Sequence, residues 1–270
     1  VRGLLLAPFR GVRAAAAARW WAALALAALI APALGYPVGA DVDPAAASSG
    51  PSAAHWLGTD HLGRDVAHRA LLATRSFVGP GAAAVGLSFG LGIPLGAAAG
   101  WPQALRPVAE VLIDAVAALP AVVLVLLVAA AGGGGSTAWV VGAGVAGAPG
   151  VADLVRERLE RLAVESHVEA ARAHGFSEVR ILWVHGVWVG AGRALTRRAI
   201  ELLGGFAALE CTLSYLGPLG VPEPTPSWGN MIAFEWGRPL SAAALVPAVL
   251  LWATAAVTTS SARALAEETR

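Results

Sequence analysis

The sequence predicts an all-α integral membrane protein with six transmembrane helices and a charged helix-turn-helix between the fourth and fifth. Three observations carry that expectation. Hydrophobic residues make up 57% of the 270 and charged residues only 14%, with a mean hydropathy of +0.65, whereas a soluble domain carries about 25% charged residues. Apolar runs close to the ~20 residues needed to cross a bilayer recur along the chain. Eleven of the 28 positions from Asp153 to Arg180 are charged, so polarity is gathered in one place.

The apolar runs fall at 20–36, 77–100, 108–131, 136–152, 195–216 and 240–261, after a tail of residues 1–19. They form one transmembrane domain over 20–270, in which the fourth run, "VVGAGVAGAPG", is short and rich in Gly. Arginine placement orients them by the positive-inside rule. With both termini in the cytoplasm, 15 arginines face inward and four, Arg64, Arg69, Arg75 and Arg238, face outward. An alternative for the first run is a signal peptide, since Arg10, Arg13 and Arg19 precede an apolar stretch ending in "APALG". On the six-span topology the outer segments are 37–76 and 217–239, with a "GGGGS" turn at 132–136. The charged stretch, 153–190, then lies in the cytoplasm.

That stretch has a helical pattern. Val151, Leu154, Val155, Leu159, Leu162 and Val168 recur at helix spacing. Gly175 suits the left-handed position that ends a helix, with Phe176 placed for the apolar contact beside it. Ser177 then caps a second helix that opens with Glu178. Two readings are open: a solvated amphipathic connector, or a knob built on Glu169, Ala170 and Ala171 that docks on a soluble partner.

Elsewhere, polar residues stand out because they are few. In "GTDHLGRD", Asp60, Arg64 and Asp65 can pair locally, and Gly58 and Gly63 permit turns; the segment reads as a structured outer loop or as a contact for a delivering protein. His55, His61 and His68 are spaced too irregularly for one helix face and read as solvated. Asp114 and Pro120 sit in the third run. Pro120 predicts a kink, and Asp114 is a candidate for the transport path or for pairing with Arg106 or Arg198. Glu201 and Glu210 lie in the fifth run without an obvious partner in their own helix. In "VPEPTPSWGN" three prolines stiffen the backbone, Ser227 caps a short helix, and Trp228 and Trp236 suit the interfacial belt.

Several functions are excluded. A net charge of +1 does not suit a nucleic-acid partner. One cysteine, Cys211, makes neither an intramolecular disulfide nor a Cys-based zinc site. All 19 basic residues are Arg, so the lysine-dependent phosphate loop cannot exist. No nucleophile triad or dinucleotide fingerprint is visible either, and the chain reads as no enzyme.

Five segments together resemble one family. "EAARAHG" (169–175) is similar to the EAA loop of the inner-membrane permeases of ABC importers. "HWLGTDHLGRDV", "LGIPLGAAAGW", "LIDAVAALP" and "ALECTLSYLGPLGVPEPTPSWGNMI" resemble, in order, segments of the second permease subunit of the dipeptide, oligopeptide and nickel importers. The likeness runs from His55 to Ile232. It implies a multi-pass subunit of a prokaryotic plasma membrane, paired with a homologous permease as a heterodimer and surrounded by lipid. Two ATPase subunits, which would hold ATP and Mg, are implied below and an extracytoplasmic substrate-binding protein above, with no cofactor on this chain. It further implies a coupling loop at Glu169, Ala170, Ala171, Gly175 and Phe176. The implied outer loop or gate comprises Thr59, Asp60, Gly63, Arg64, Asp65, Pro226, Trp228, Gly229 and Asn230. Pathway candidates are Asp114, Pro120 and Glu210.

The sequence departs from the family where Leu-Pro-Asn is usual: the positions read Val187, Trp188 and Val189, which would let the second hairpin helix run straight into the fifth span. The outer loop between 232 and 240 is also short. Peptides are the expected cargo, because no span carries a His, Cys or Met cluster suited to a metal; nickel or a nickel chelate is the alternative. A proton-coupled secondary transporter would show an inverted repeat, which is not found, and a purely structural membrane subunit is the other rival.

Overall fold

The computed structural model describes residues 10–30, 42–100, 105–132, 135–217, 220–236 and 241–267. Helix α1, Arg10–Ile30, is apolar from Ala16 onward; the last part of the expected first span lies outside the described residues. Trp20 Nε1 donates to Thr254 Oγ1 at 3.1 Å and ties α1 to the last helix. Helix α2, Val66–Leu72, starts where Asp65 accepts the His68 backbone N–H, and α3, Arg75–Gly100, follows almost directly. Together Val66–Gly100 forms one apolar candidate span, longer than the expected 77–100.

The third run is two helices, α4 (Arg106–Ala117) and α5 (Ala121–Gly132), bent by 90°. Pro120 stands at the junction: it lacks the N–H that would continue the ladder, and its ring clashes with the preceding turn. A kink was expected; the bend is sharp enough to separate the helices.

Helix α6, Gly135–Ala163, extends eleven residues beyond the expected 152. The charges from Asp153 to Arg161 thus decorate the end of this helix rather than a separate one. The chain turns at Val164 and Glu165, forms α7 (Ser166–Ala173), turns again at Gly175 and enters α8 (Glu178–Arg180). Ten residues of π-helix, Ile181–Gly190, lead without a break into α9, Ala191–Leu216. The chain therefore does run straight through Val187–Val189. Helix α10, Trp228–Phe234, and α11, Ala242–Glu267, complete the fold.

Among the described residues, four helical stretches are long and apolar enough to cross a membrane, or five if the bent α4–α5 pair is one span. Six were expected; among the described residues, α1 supplies only a shorter apolar helix, Ala16–Ile30.

The centre of the fold is a parallel seam between α3 and α6. Gly92 lies against Ala148 and Val151, Gly96 against Ala152 and Val155, and Gly100 against Arg156 and Leu159. The spacing of four keeps these glycines on one face, and the missing side chains let the backbones approach, as in small-xxx-small packing. Ser88 Oγ donates to Gly144 O across the seam at 2.9 Å. Gly142 receives Val125 of α5 in the same way. The Gly content that weakened the fourth run as an apolar segment is what its packing requires.

Because α3 and α6 run in the same direction, the molecule has two distinct ends. One, the loop end, gathers residues 42–74, the start of α6 and residues 220–236. The other, the hairpin end, carries residues 164–177.

Gly96→Leu should lower the thermal unfolding midpoint of the detergent-purified protein by an amount corresponding to about 1–3 kcal/mol or more, since the added side chain meets Ala152 backbone. Gly86→Ala, which meets open space, should not.

Candidate functional site

At the loop end the geometry begins with two tight turns. Gly58 and Gly63 have φ of +76° and +79°, and a Cβ on Gly63 would strike the Asp43 carbonyl. Thr59 is buried, accepts the Ser49 N–H and donates to Ala46 O. These turns bring the charged residues together. Asp60 Oδ1 accepts the backbone N–H groups of Leu62 and Arg64, and Oδ2 takes Arg64 Nε at 2.7 Å. The other side of Arg64 reaches Glu223 at 2.8 Å, and Arg69 binds the second oxygen of Glu223 at 2.7 Å. Arg69 also lies 3.5 Å from Asp60. Two buried arginines thus meet two carboxylates, and each charge faces the opposite sign.

Asp65 performs a different task. It caps α2 and holds His55 at 2.9 Å. His61 Nδ1 sits 3.0 Å from Glu235, stacks on Phe234, and is largely buried. Solvated histidines were expected; these two are partnered. Ser241 donates to the other Glu235 oxygen at 3.3 Å, so segments 42–72, 220–235 and the start of α11 are joined.

The Pro-rich loop is held just as closely. Ser227 and Asn230 form a reciprocal capping box at the start of α10. The Asn230 side-chain amide also donates to Val221 O and Thr225 O. Pro226 O accepts from Ser76 Oγ at 2.8 Å. Gly229 has no room for a Cβ, which would strike the Cys211 carbonyl of α9. Trp228 is only 1% exposed, donates to Ala70 O and packs on Phe77. The interfacial belt expected of it is therefore replaced by a core role, while Trp236, 78% exposed, remains at the surface.

Sequence reasoning missed three members of this assembly: Arg69, Glu223 and Glu235. One signal was available for Glu223, a carboxylate held between two prolines on the side where arginines lay unpaired.

The pathway candidates disperse. Asp114 is exposed on α4 and has no ion pair among the described residues. Its expected partners are committed elsewhere, Arg106 to Glu110 and Glu160, and Arg198 to Glu201. Pro120 is exposed at the α4–α5 bend. Glu210 is 1% exposed and accepts from Ser214 Oγ at 2.7 Å; that hydroxyl in turn accepts the Val221 N–H. Glu210 therefore faces the interior of this chain and supports the Pro-rich loop. Both glutamates of α9 do have partners in their own helix, Glu201 being paired with Arg197 and Arg198.

At the hairpin end, Gly175 has φ +77° and the Phe176 N–H returns to Ala171 O, a six-residue closure that satisfies a terminal carbonyl of α7. Ser177 Oγ accepts the Arg180 N–H, and the Arg180 guanidinium lies 4.5 Å over the Phe176 ring. Glu169 is exposed, whereas Ala171 is buried with Val168 and Ile181. Arg158 braces the turn by binding Glu165 at 2.9 Å. The result is a short, tightly closed knob with an acidic side chain outward. Among the described residues no group of three His, Cys, Asp or Glu side chains could hold a metal ion.

Residues 92–270 match the family described as binding-protein-dependent transport system inner membrane component. A glutathione transport system permease protein from Pectobacterium atrosepticum is 30% identical over 186 residues, 68% of this chain and 61% of its own length. A putative peptide permease protein from Brucella suis is 32% identical over 78% of this chain and 72% of its own. A dipeptide transport system permease protein from Alkalihalophilus pseudofirmus is 30% identical over 77% and 68%. The first of these relatives is thus spanned over less than two thirds of its length.

Glu223→Ala should destabilise the protein by about 3–5 kcal/mol, because it leaves two buried guanidinium groups facing one carboxylate. Chemical unfolding in mild detergent measures it. A loss below about 1 kcal/mol would mean that the cluster is water-screened like a surface ion pair.

Proposed function

Because the chain belongs to the family of binding-protein-dependent transport system inner membrane components, we propose that it is the transmembrane permease subunit of an ATP-driven importer of di- or oligopeptides. The observation that carries the peptide assignment is the agreement of three relatives whose names specify glutathione, peptide and dipeptide transport. It lies in the plasma membrane with both termini in the cytoplasm, an orientation supported by the arginine distribution. The loop end then faces outward and the hairpin end inward. A homologous permease subunit completes the path, two ATPase subunits carry ATP and Mg at the inner face, and a substrate-binding protein delivers peptide from outside.

In this mechanism the hairpin enters a groove on an ATPase subunit. Three local devices support its use as a rigid lever: the left-handed Gly175 turn, the Ser177 cap and the Phe176–Arg180 stack. Each flank is a long helix. Helix α6, 29 residues, spans about 43 Å at 1.5 Å per residue, and α8 through α9 returns as continuous helical chain. When ATP closes the ATPase pair, displacement of α7 is carried along both flanks to the outer loop. The outer cluster of Asp60, Arg64, Arg69 and Glu223 then moves as one body with α2, the start of α3 and the end of α9. Transport results if the two permeases have two stable packings, inward-open and outward-open.

Co-expression with the partner subunits tests the coupling. Gly175→Asp and Glu169→Arg should each reduce ATPase co-purification and peptide uptake at least severalfold while leaving the yield of the subunit in the membrane unchanged. Undiminished attachment and uptake would refute the docking role. The purified subunit alone should neither bind nor hydrolyse ATP, and robust turnover by it would overturn the division of labour.

A further inference from the structure

The loop end contains a second feature, separate from the ion cluster. A cleft of about 380 Å³ opens between the start of α3, the start of α6 and the Pro-rich loop. That volume is typical of small-molecule sites. Its walls are apolar at Pro80 and Val221 and polar at Ser136 and Thr225. Ser76 also lines it, with its hydroxyl already committed to Pro226 O.

Arg75 gives the cleft its charge. Of the four arginines assigned to this side, Arg64 and Arg69 are neutralised by Asp60 and Glu223, and Arg238 lies outside the described residues. Arg75 is exposed at the cleft and forms no ion pair among the described residues. Ser136, in the same lining, belongs to the first turn of α6, a 29-residue helix. Its leading N–H groups have no intrahelical acceptors and carry the positive end of the dipole. A guanidinium, a helix N-terminus and two hydroxyls with no hydrogen bond among the described residues therefore line a cavity whose other walls are mostly apolar.

We propose that this cleft binds the carboxylate end of a small solute. Arg75 forms the charge-assisted pair, Ser136 and Thr225 supply hydrogen bonds, and Pro80 and Val221 contact the apolar body. The identity of the solute rests on the peptide reading: a short peptide with a free C-terminal carboxylate, received on its way into the membrane path.

Two measurements on the assembled importer in lipid vesicles test it. The first compares uptake of a dipeptide free acid with that of its C-terminal amide. Taking the ratio of the two cancels any preference of the binding protein, which is common to wild type and variant. Arg75→Gln should lower the acid-to-amide ratio about tenfold or more, and Arg75→Lys should retain most of it. Equal loss for both forms would place Arg75 in a structural or protein-docking role and overturn the proposal.

The second measurement introduces Ser136→Cys and compares its labelling by anionic and cationic methanethiosulfonate reagents, read by mass spectrometry of this chain. The anionic reagent should be favoured, Arg75→Gln should remove the preference, and the free-acid dipeptide should protect where the amide does not. No preference and no protection would overturn the site even if peptides are imported. If neither dipeptide form is imported by the wild type, yet labelling depends on Arg75 and the free acid protects, the peptide-import reading fails and the carboxylate site stands.

Discussion

The close approach of α3 and α6 is the constraint on which the other arrangements depend. Gly92, Gly96 and Gly100 allow two backbones to run side by side in the same direction, with Ala148, Ala152 and Arg156 as their partners. In lipid there is no hydrophobic drive between apolar helices, so close packing and interhelical hydrogen bonds must supply the association. A parallel pair sends both helix starts to one end and both helix ends to the other. Arg75 and Ser136 consequently line one loop-end cleft, while Gly100 lies against Arg156 and Leu159 toward the hairpin end. Slipping the seam by one turn would displace both ends at once.

Charge follows the same division. In the loop-end cluster it is buried and internally balanced, each oxygen of Glu223 holding one arginine, so that the 60–69 segment is fastened to the Pro-rich loop, while Arg75 stays exposed at the neighbouring cleft. Such an arrangement is costly to break and weakly attractive to outside ions. At the hairpin end the charges are largely exposed: Arg161 pairs with Glu157 within one helix face, Arg106 links Glu110 to Glu160, and Glu169 points outward. These surface pairs contribute little stability. Their value is solubility for a protruding element.

What could be read from the sequence was local. Gly175, Ser177 and Ser227 each announce a turn or cap through chemistry that acts within four residues, and the structure places a turn or cap at each. The Arg64–Asp60 pair is legible for the same reason. Partners distant in sequence were not. Glu223 reaches Arg64 across 159 positions and Glu235 reaches His61 across 174, and no spacing rule connects them. Hydropathy also misjudged residues whose role depends on a neighbour. Trp228 looked interfacial but fills the space beside Phe77, and the Gly-rich fourth run looked weak because hydropathy scores apolar content, not the capacity for close packing.

The passage from hairpin to α9 shows how a sequence lacking the family's usual proline resolves the geometry. A proline there would break the helix; Val187, Trp188 and Val189 let it continue. In an unbroken α-helix, residues five apart would lie about 140° from each other around the axis. Ile181 and Gly186 are both buried and five apart, the repeat of a π-turn, and Val187, Ala191 and Leu195 then follow at the α-helical spacing of four. The π-helical stretch therefore shifts the register of the inward face partway along an unbroken helix. Gly186 permits this because Leu159 occupies the space its side chain would take. The stripe stays directed at Leu159 and Leu162 of α6 as the chain passes from hairpin to span. The inward face is shifted by widening the helix instead of ending it, which keeps α8 continuous with α9.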